Sequence, residues 1–206
     1  MNEGYISVLN DIASKNATPG GGAVAALVLG HSYSLVSMVS RLTIGSEKWI
    51  EGHEISNNLI EICDNGILNS IELAENDCDA FNNVMMSYRL PKTNESEISI
   101  RKENILQSSL EATIAPFIIA EKSLYLLSLL PEFASKANKN ALTDLASASQ
   151  LAYSSAFIAS LNVRVNTPGI LKEDSIKYES EVKKIISQCT SFNEDTQKII
   201  SSRLGW

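Results

Sequence analysis

The fold is decided by residues 18–42, TPGGGAVAALVLGHSYSLVSMVSRL, in which a glycine turn opens a long apolar segment. Arg41 is the single Lys, Arg, Asp or Glu in this stretch. Because His31 and four serines interrupt the apolar run, the segment is too polar for a span that faces lipid. It has the composition of the buried central helix of a helical bundle. Thr18 is the expected N-cap of this helix, and Pro19 suits its first position.

Two stripes of different size run along the predicted helix. Bulky side chains recur at helical spacing from Val24 to Leu42 and include His31, which we expect to be a histidine of the core. The second stripe consists of small residues: Ala23, Ala26, Gly30, Ser34 and Ser37. Small residues let a neighbouring backbone approach closely, so we expect other helices to surround this one.

The rest of the chain also has helical periodicity, and no stretch alternates with a period of two. Further helices are predicted over residues 5–14, 47–88, 96–134, 141–163 and 174–204. Interruptions are expected near Gly52 or Gly66, and a kink or break at Pro116. The sequence therefore predicts one all-α domain over residues 1–206, a helical bundle around the buried central helix.

Composition excludes several classes of protein. The 206 residues are 44% hydrophobic and 20% charged, an ordinary globular balance. Since 24 Asp and Glu outnumber 17 Lys and Arg, nucleic-acid binding is not expected. Three cysteines without CxxC spacing and two isolated histidines predict neither a disulfide framework nor a metal site. The polar N-terminus predicts no signal peptide, so we expect a cytoplasmic protein that is not in a membrane.

The glycine turn, Gly20–Gly22, is the most unusual local feature. Each glycine in a first helical turn costs about 1 kcal/mol of helix propensity relative to alanine. In return, bare backbone N–H groups at a positive helix end are open to a carboxylate, a phosphate or a planar ring. A bulky side chain at Gly21 would then block the ligand. Close packing of loop on helix is the alternative, and the spacing is not that of a P-loop.

Three polar segments are further candidates. Asp77 and Asp79 lie about 200° apart around a helix, so one can face a site while the other is solvated. The second segment, Asn138-Lys139-Asn140-Ala141-Leu142-Thr143-Asp144, has Asn140 as a candidate N-cap and amides suited to a polar ring. Arg164 ends a helix rich in Ala, Ser and Leu, where it can pair with a carboxylate or satisfy the last carbonyls. Two surface acids, a capped helix start and a capped helix end are the corresponding structural interpretations.

Six segments in this order resemble the cyclodeaminase/cyclohydrolase family, which includes the cyclodeaminase domain of formiminotransferase-cyclodeaminase and its stand-alone relatives. They are Thr18-Pro19-Gly20-Gly21-Gly22, Leu42-Thr43-Ile44-Gly45, Asp77-x-x-Ala80-Phe81, Tyr88-Arg89-Leu90-Pro91, Asn138-Lys139-Asn140-Ala141-Leu142-Thr143-Asp144 and Asn162-Val163-Arg164-Val165-Asn166. The resemblance covers about residues 5–170. It implies an all-α, methenyltetrahydrofolate cyclohydrolase-like fold, a homodimer, and tetrahydrofolate derivatives as ligands.

Two activities occur among the proteins that the chain resembles. One closes 5-formimidoyltetrahydrofolate to 5,10-methenyltetrahydrofolate with loss of ammonia; the other hydrolyses 5,10-methenyltetrahydrofolate to 10-formyltetrahydrofolate. No metal or other cofactor is expected, because the protonated amidine carbon is already electrophilic. The resemblance makes Asp77 and Asp144 the candidate catalytic residues, with Asp77 preferred.

Substrate-binding residues follow from the same resemblance. Thr18, Pro19 and the Gly20–Gly22 backbone, with Asn138, Asn140 and Arg164, would hold the pterin or glutamate end of the folate. The sequence leads us to expect the cyclodeaminase activity, with the cyclohydrolase activity as the alternative. A folate-binding dimer without catalysis is a third hypothesis, and a turnover assay separates it from the two enzymes.

Overall fold

The computed structural model describes residues 3–206, and this part of the chain is helical with no strand. The six α-helices of this range are α1 (Glu3–Ile12), α2 (Gly21–Ile44), α3 (His53–Tyr88), α4 (Glu95–Lys136), α5 (Leu142–Asn166) and α6 (Lys172–Leu204). Short 3₁₀ segments occupy Glu47–Gly52, Lys139–Ala141 and Thr167–Gly169. The predicted all-α bundle is confirmed. α3 continues through Gly66, where the buried Tyr33 ring packs against the glycine, so the interruption falls at Gly52 alone.

α2 lies between α3 and α5, and both neighbours run antiparallel to it. On the α5 side, Ser32 Oγ donates to the Ala148 carbonyl and Ser155 Oγ donates to the Ala25 carbonyl, each at 2.7 Å. On the α3 side, Gly30 lies so close to Ser70 that a Cβ at position 30 would overlap the serine hydroxyl. The close approach expected from small residues is therefore confirmed, and the core sits around this side of α2.

The bulky stripe of α2 has the opposite environment from the one expected. Its residues are half-buried or exposed within the single chain: Val24, Leu27, Val28, His31, Leu35, Met38 and Leu42. His31 is exposed, with Nδ1 2.7 Å from the Leu27 carbonyl oxygen, so the expectation of a core histidine is wrong. The reason is geometric: α3 and α5 approach α2 on the side of the small residues, where Leu29, Tyr33 and Val36 are also buried, and the bulky stripe lies outside this contact.

α4 continues through Pro116 and also through Pro131, so the break that was one of the two expectations for Pro116 does not occur. A proline in a helix leaves the carbonyl four residues earlier without its N–H partner. Here that carbonyl belongs to Ala112, and it accepts a 2.6 Å hydrogen bond from Asn166 Nδ2. The end of α5 thus supplies the donor that Pro116 lacks.

We expect Asn166→Ala to lower the free energy of unfolding by about 1–3 kcal/mol, because it leaves a buried carbonyl without a donor. In a Pro116→Ala background the cost should be smaller, since the backbone N–H restored by that substitution can donate to the Ala112 carbonyl in the ordinary helical way. A double-mutant cycle by urea unfolding measures the difference. An equal cost in both backgrounds would show that Asn166 stabilises the protein by another contact.

Two helices, Gly21–Ile44 and Glu95–Lys136, are long and apolar enough to cross a membrane by length and composition alone. In the structure, 56% and 44% of their most apolar windows are buried inside the bundle. Core helices of water-soluble bundles share this composition, so length and hydropathy do not identify either helix as a membrane span.

Candidate active site

At the glycine turn, α2 begins two residues later than expected, at Gly21 instead of Pro19. Gly20 has the extended backbone of an N-cap (φ −108°, ψ −161°), and α2 begins at Gly21. Thr18 and Pro19 therefore precede the helix, and the prediction that Thr18 is its N-cap is wrong. Gly20 has no side chain that could accept a hydrogen bond from the first turn of α2. The backbone N–H groups of that turn are therefore available to groups from elsewhere in the fold.

Asp77 of α3 supplies one such group. Its half-buried carboxylate accepts a hydrogen bond from the Ala23 backbone N–H and lies directly against Gly22. A Cβ at Gly22 would overlap all three atoms of the carboxylate group. Asp79, two residues later, is exposed. The contact of Asp77 with the turn fits the preference for Asp77 over Asp79 as geometry, but Asp79 does not point away from the turn, since it borders the cavity beside it.

The environment of Asp77 changes its acidity. Burial raises the pKa of the carboxyl group above 3.8, and the hydrogen bond from Ala23 offsets part of that rise. A carboxyl group with a raised pKa can give and take a proton closer to neutral pH than an ordinary aspartate. A proton-transferring group needs such a raised pKa. A half-buried carboxylate that only caps a helix can have a raised pKa as well.

Because the Asp77 carboxyl group is half-buried, the difference in stability between the wild type and Asp77→Asn should depend on pH. An acid whose pKa is raised in the native state stabilises the fold below its unfolded pKa, and this contribution is lost as the pH rises through the native pKa. The free energy of unfolding of the wild type minus that of the asparagine variant should therefore be larger below pH 3.8 than near pH 7. Urea unfolding of both proteins at the two pH values measures this. A stability difference that does not change with pH would contradict the burial of the charge.

Asn162 of α5 lies on another side of the turn. A Cβ at Gly21 would be 3.3 Å from Asn162 Nδ2, and that amide also donates to the Ile158 carbonyl at 2.9 Å. Arg164 follows two positions later, about 200° around the helix, and is exposed. The segment that contains both residues was recognised from the sequence, but the choice of Arg164 as its binding residue missed the amide beside Gly21.

A cavity of about 480 Å³ opens beside the turn between α1, α2 and α3. Thr18, Pro19 and Ala23 form one wall. The remaining lining combines apolar side chains with three carboxylates: Val8, Asp11, Leu27, Ile71, Ala74, Glu75, Cys78 and Asp79. Asp79 borders this cavity, whereas Asp77 does not line it. A flat, partly apolar molecule with hydrogen-bond donors suits such a lining.

The other predicted site residues lie at the far end of α2. Asn138 Nδ2 donates to the Leu42 carbonyl at 3.0 Å, and its backbone N–H donates to Thr43 Oγ1 at 3.0 Å. Asn138 Oδ1 accepts from the Asn140 backbone N–H, also at 3.0 Å. Asn138, not Asn140, therefore caps the 3₁₀ turn that precedes α5, which is a correction to the expected N-cap.

The two groups of predicted residues are separated within one chain. Gly22 and Leu42 are twenty positions apart on α2, which corresponds to about 30 Å along the helix. Asp144 lies one turn before Ala148, whose carbonyl meets Ser32, so it is about 20 Å from the turn along the same axis. Asp77 and Asp144 therefore cannot reach one small ligand in a single subunit.

Comparison with known proteins places this arrangement in a family. The family model described as formiminotransferase-cyclodeaminase matches residues 5–188. The chain belongs to the formiminotransferase-cyclodeaminase family. Both groups of polar residues, at the two ends of α2, lie inside the matched range.

Two curated members of this family illustrate its range. A methenyltetrahydrofolate cyclohydrolase from Methylorubrum extorquens is 30% identical over 208 residues, with 99% of both chains covered. A formimidoyltransferase-cyclodeaminase from Rattus norvegicus is 30% identical over 170 residues, which cover 80% of this chain and 31% of the relative. The rat protein is thus much longer than this chain.

A solved structure confirms the fold of the family. The crystal structure of a formiminotetrahydrofolate cyclodeaminase from Thermotoga maritima superimposes with a TM-score of 0.85 at 23% identity, and covers 100% of this chain and 98% of that one.

Within residues 3–206 no three His, Cys, Asp or Glu side chains are grouped as a metal site would require.

Proposed function

We propose that the protein is an enzyme of one-carbon folate metabolism that closes 5-formimidoyltetrahydrofolate to 5,10-methenyltetrahydrofolate with release of ammonia. The observation that carries this proposal is the half-buried Asp77 carboxylate, held by the Ala23 N–H against Gly22 at the start of α2. Family membership supports a folate substrate.

The reaction needs a base, an acid and a stabilising charge. N10 attacks the formimidoyl carbon, its proton must be accepted, and the departing ammonia must be protonated. A carboxylate with a raised pKa can take the N10 proton and return it to the leaving nitrogen. As an anion it also stabilises the positive charge of the methenyl product. The chemistry requires no metal or other cofactor, because the protonated amidine carbon is already electrophilic.

The cavity beside the turn is the proposed place for the pterin ring. Its apolar wall accepts the flat face of the ring, and a carboxylate can accept hydrogen bonds from the ring's N–H groups. Glu75 and Asp79 on the α3 side of the cavity are exposed and available for this contact. Thr18 and Pro19 would close the opposite wall.

The cyclohydrolase reaction is the second candidate. It is favoured by the Methylorubrum relative, which carries that name and matches this chain over 99% of both lengths. Both reactions pass through a tetrahedral carbon between N5 and N10. One proton-transferring carboxyl group at that carbon can therefore serve either reaction.

An assay with two starting compounds distinguishes the hypotheses. With 5-formimidoyltetrahydrofolate, a cyclodeaminase should raise the methenyltetrahydrofolate absorbance and release ammonia. With 5,10-methenyltetrahydrofolate, a cyclohydrolase should lower that absorbance faster than the enzyme-free control. Binding of both compounds without any change in absorbance would reject both activities and favour a non-catalytic folate-binding protein.

We further propose a cytoplasmic homodimer. The apolar side chains that the single chain leaves exposed on α1 and α2 support self-association. Sedimentation at micromolar concentration should give twice the 22.4 kDa of one chain. A single species of 22.4 kDa would reject the dimer.

A further inference from the structure

Phe81 is a large apolar side chain that the fold leaves without a partner. It is 38% exposed on α3, and within residues 3–206 no aromatic ring stacks on it and no Lys or Arg lies over it. Tyr88, two turns later, differs, because the Arg101 guanidinium lies 5.5 Å from its ring centroid and donates to its carbonyl at 3.1 Å. A single exposed phenylalanine is ordinary in itself, so the significance of Phe81 depends on what lies around it.

The end of α3 that carries Phe81 extends past the start of α2. Gly22, the second residue of α2, lies against Asp77, and α3 continues for eleven more residues to Tyr88. These last three turns of α3, about 16 Å long, have no residue of α2 beside them. Phe81 and Tyr88 are exposed there, so this side of α3 is open beyond the glycine turn.

Phe81 is next to two features of the candidate site that lie on adjoining sides of α3. It is four positions after Asp77, which places the two side chains one turn apart on the same side of the helix. It is also three positions after Cys78, which lines the cavity beside the glycine turn. Asp77 does not line that cavity. Phe81 therefore borders the route between the cavity and the carboxylate.

The proposed substrate has an aromatic ring at the corresponding place. In tetrahydrofolate, N10 joins the pterin to an aminobenzoyl ring, and N10 carries the proton that Asp77 is proposed to accept. This ring therefore begins one bond away from the proton donor. One helical turn, about 5.4 Å, separates Asp77 from Phe81 along α3, and aromatic rings attract each other with their centroids about 4.5–7 Å apart.

We propose that Phe81 packs against the aminobenzoyl ring of the folate and thereby positions N10 at the Asp77 carboxylate. The inference rests on the proposed folate activity and adds a positioning residue to that site. The pterin lies in the cavity at the level of Ala74 and Cys78, and the aminobenzoyl ring follows toward the end of α3. Ala74 and Phe81 are about 10 Å apart along the helix, which leaves room for the two rings and the N5–C–N10 bridge between them.

Two probes, one with the aminobenzoyl ring and one without it, test this contact. Tetrahydrofolate carries the ring and 6-methyltetrahydropterin lacks it, and calorimetry without oxygen measures the affinity of each. Phe81→Ala should bind tetrahydrofolate about 10-fold or more weakly than the wild type, the usual loss when an aromatic stacking partner is removed. It should bind 6-methyltetrahydropterin as the wild type does. Met86→Ala is the matched control, because Met86 is 63% exposed on the same helix but lines a different cavity, next to α4; it should leave both affinities unchanged.

Steady-state kinetics with the active folate substrate test whether the contact positions N10. Phe81→Ala should raise KM about 10-fold through the lost stacking, and should also lower kcat about 10-fold or more, because N10 is no longer held in line with the carboxylate. Asp77→Asn, in contrast, should lower kcat alone. Phe81→Tyr keeps the ring and should stay close to the wild type, whereas Phe81→Leu keeps an apolar side chain without a ring and should resemble Phe81→Ala.

Other outcomes overturn the inference. Equal losses of affinity for both probes would show that Phe81 only maintains the shape of the cavity, and a Phe81→Leu variant as active as the wild type would show that no ring is needed. An active wild type whose kinetics and affinities are unchanged in Phe81→Ala would reject the contact while the proposed function stands. A wild type that neither binds tetrahydrofolate nor turns over either folate compound would reject the proposed function, and the contact with it.

Discussion

Replacing Asp77 with asparagine should reduce turnover by about 100-fold or more, the usual effect of removing a general acid–base group. Asparagine keeps the size of the side chain and an oxygen that can accept the Ala23 N–H hydrogen bond, so the start of α2 should keep its geometry. What is lost is the proton. Folate affinity should therefore change little, and steady-state kinetics should show the loss in kcat rather than in KM.

The matched control is Asp79→Asn, on the same helix and close to the same proposed ligand. Asp79 borders the cavity while Asp77 lies against Gly22. We therefore expect the Asp79 substitution to leave kcat close to the wild-type value, and any effect to appear in KM through a contact with the ring. A larger loss of kcat at Asp79 than at Asp77 would mean that the cavity side of α3 carries the chemistry.

Gly22→Ala should have the second large effect. The added methyl group would overlap the Asp77 carboxylate, so the carboxylate or the helix start must move. Forcing an extra carbon into a packed position costs about 1–3 kcal/mol, and a displaced Asp77 should lower turnover about as much as its removal, about 100-fold. Thermal unfolding and kcat measure the two effects separately.

Gly21→Ala is the control for the stability of the turn. Its methyl group would lie 3.3 Å from the end of the Asn162 side chain, which can shift, and alanine gains about 1 kcal/mol of helix propensity over glycine. We expect this variant to be at least as stable as the wild type. If Gly22→Ala is equally stable and active, the close contact with Asp77 does not constrain the turn.

These two positions also show how far the sequence alone reaches into the site. The sequence by itself indicates the glycine turn as a candidate site and prefers Asp77 to Asp79. The sequence singles out Gly21 as the position where a bulky side chain would block a ligand, and the structure adds a close contact within the fold at Gly22, where a Cβ would overlap the Asp77 carboxylate. One residue of helical rotation, about 100°, separates these positions, and only the placement of α3 and α5 decides which glycine faces which neighbour.

The residues at the far end of α2 show more clearly what the sequence alone does not predict. The resemblance grouped Asn138, Asn140 and Asp144 with Asp77, because sequence motifs carry order and spacing along the chain but no distance through space. In the structure both polar atoms of the Asn138 side chain form hydrogen bonds within the fold. Nδ2 donates to the Leu42 carbonyl, and Oδ1 accepts from the Asn140 N–H.

What the sequence determined by itself is everything that depends on local spacing. Apolar residues at helical intervals predict an all-α bundle, and a glycine turn before an almost uncharged run predicts its central helix. Only the tertiary structure decided which stripe of α2 is buried, how α4 passes Pro116, and which motif residues are neighbours. The donor for Ala112 comes from Asn166, 54 residues away. The small stripe, apart from the exposed Ser34, is buried because α3 and α5 approach it. A helix forms through contacts three or four residues apart, whereas its surroundings are set by residues that the chain brings together from far along its length.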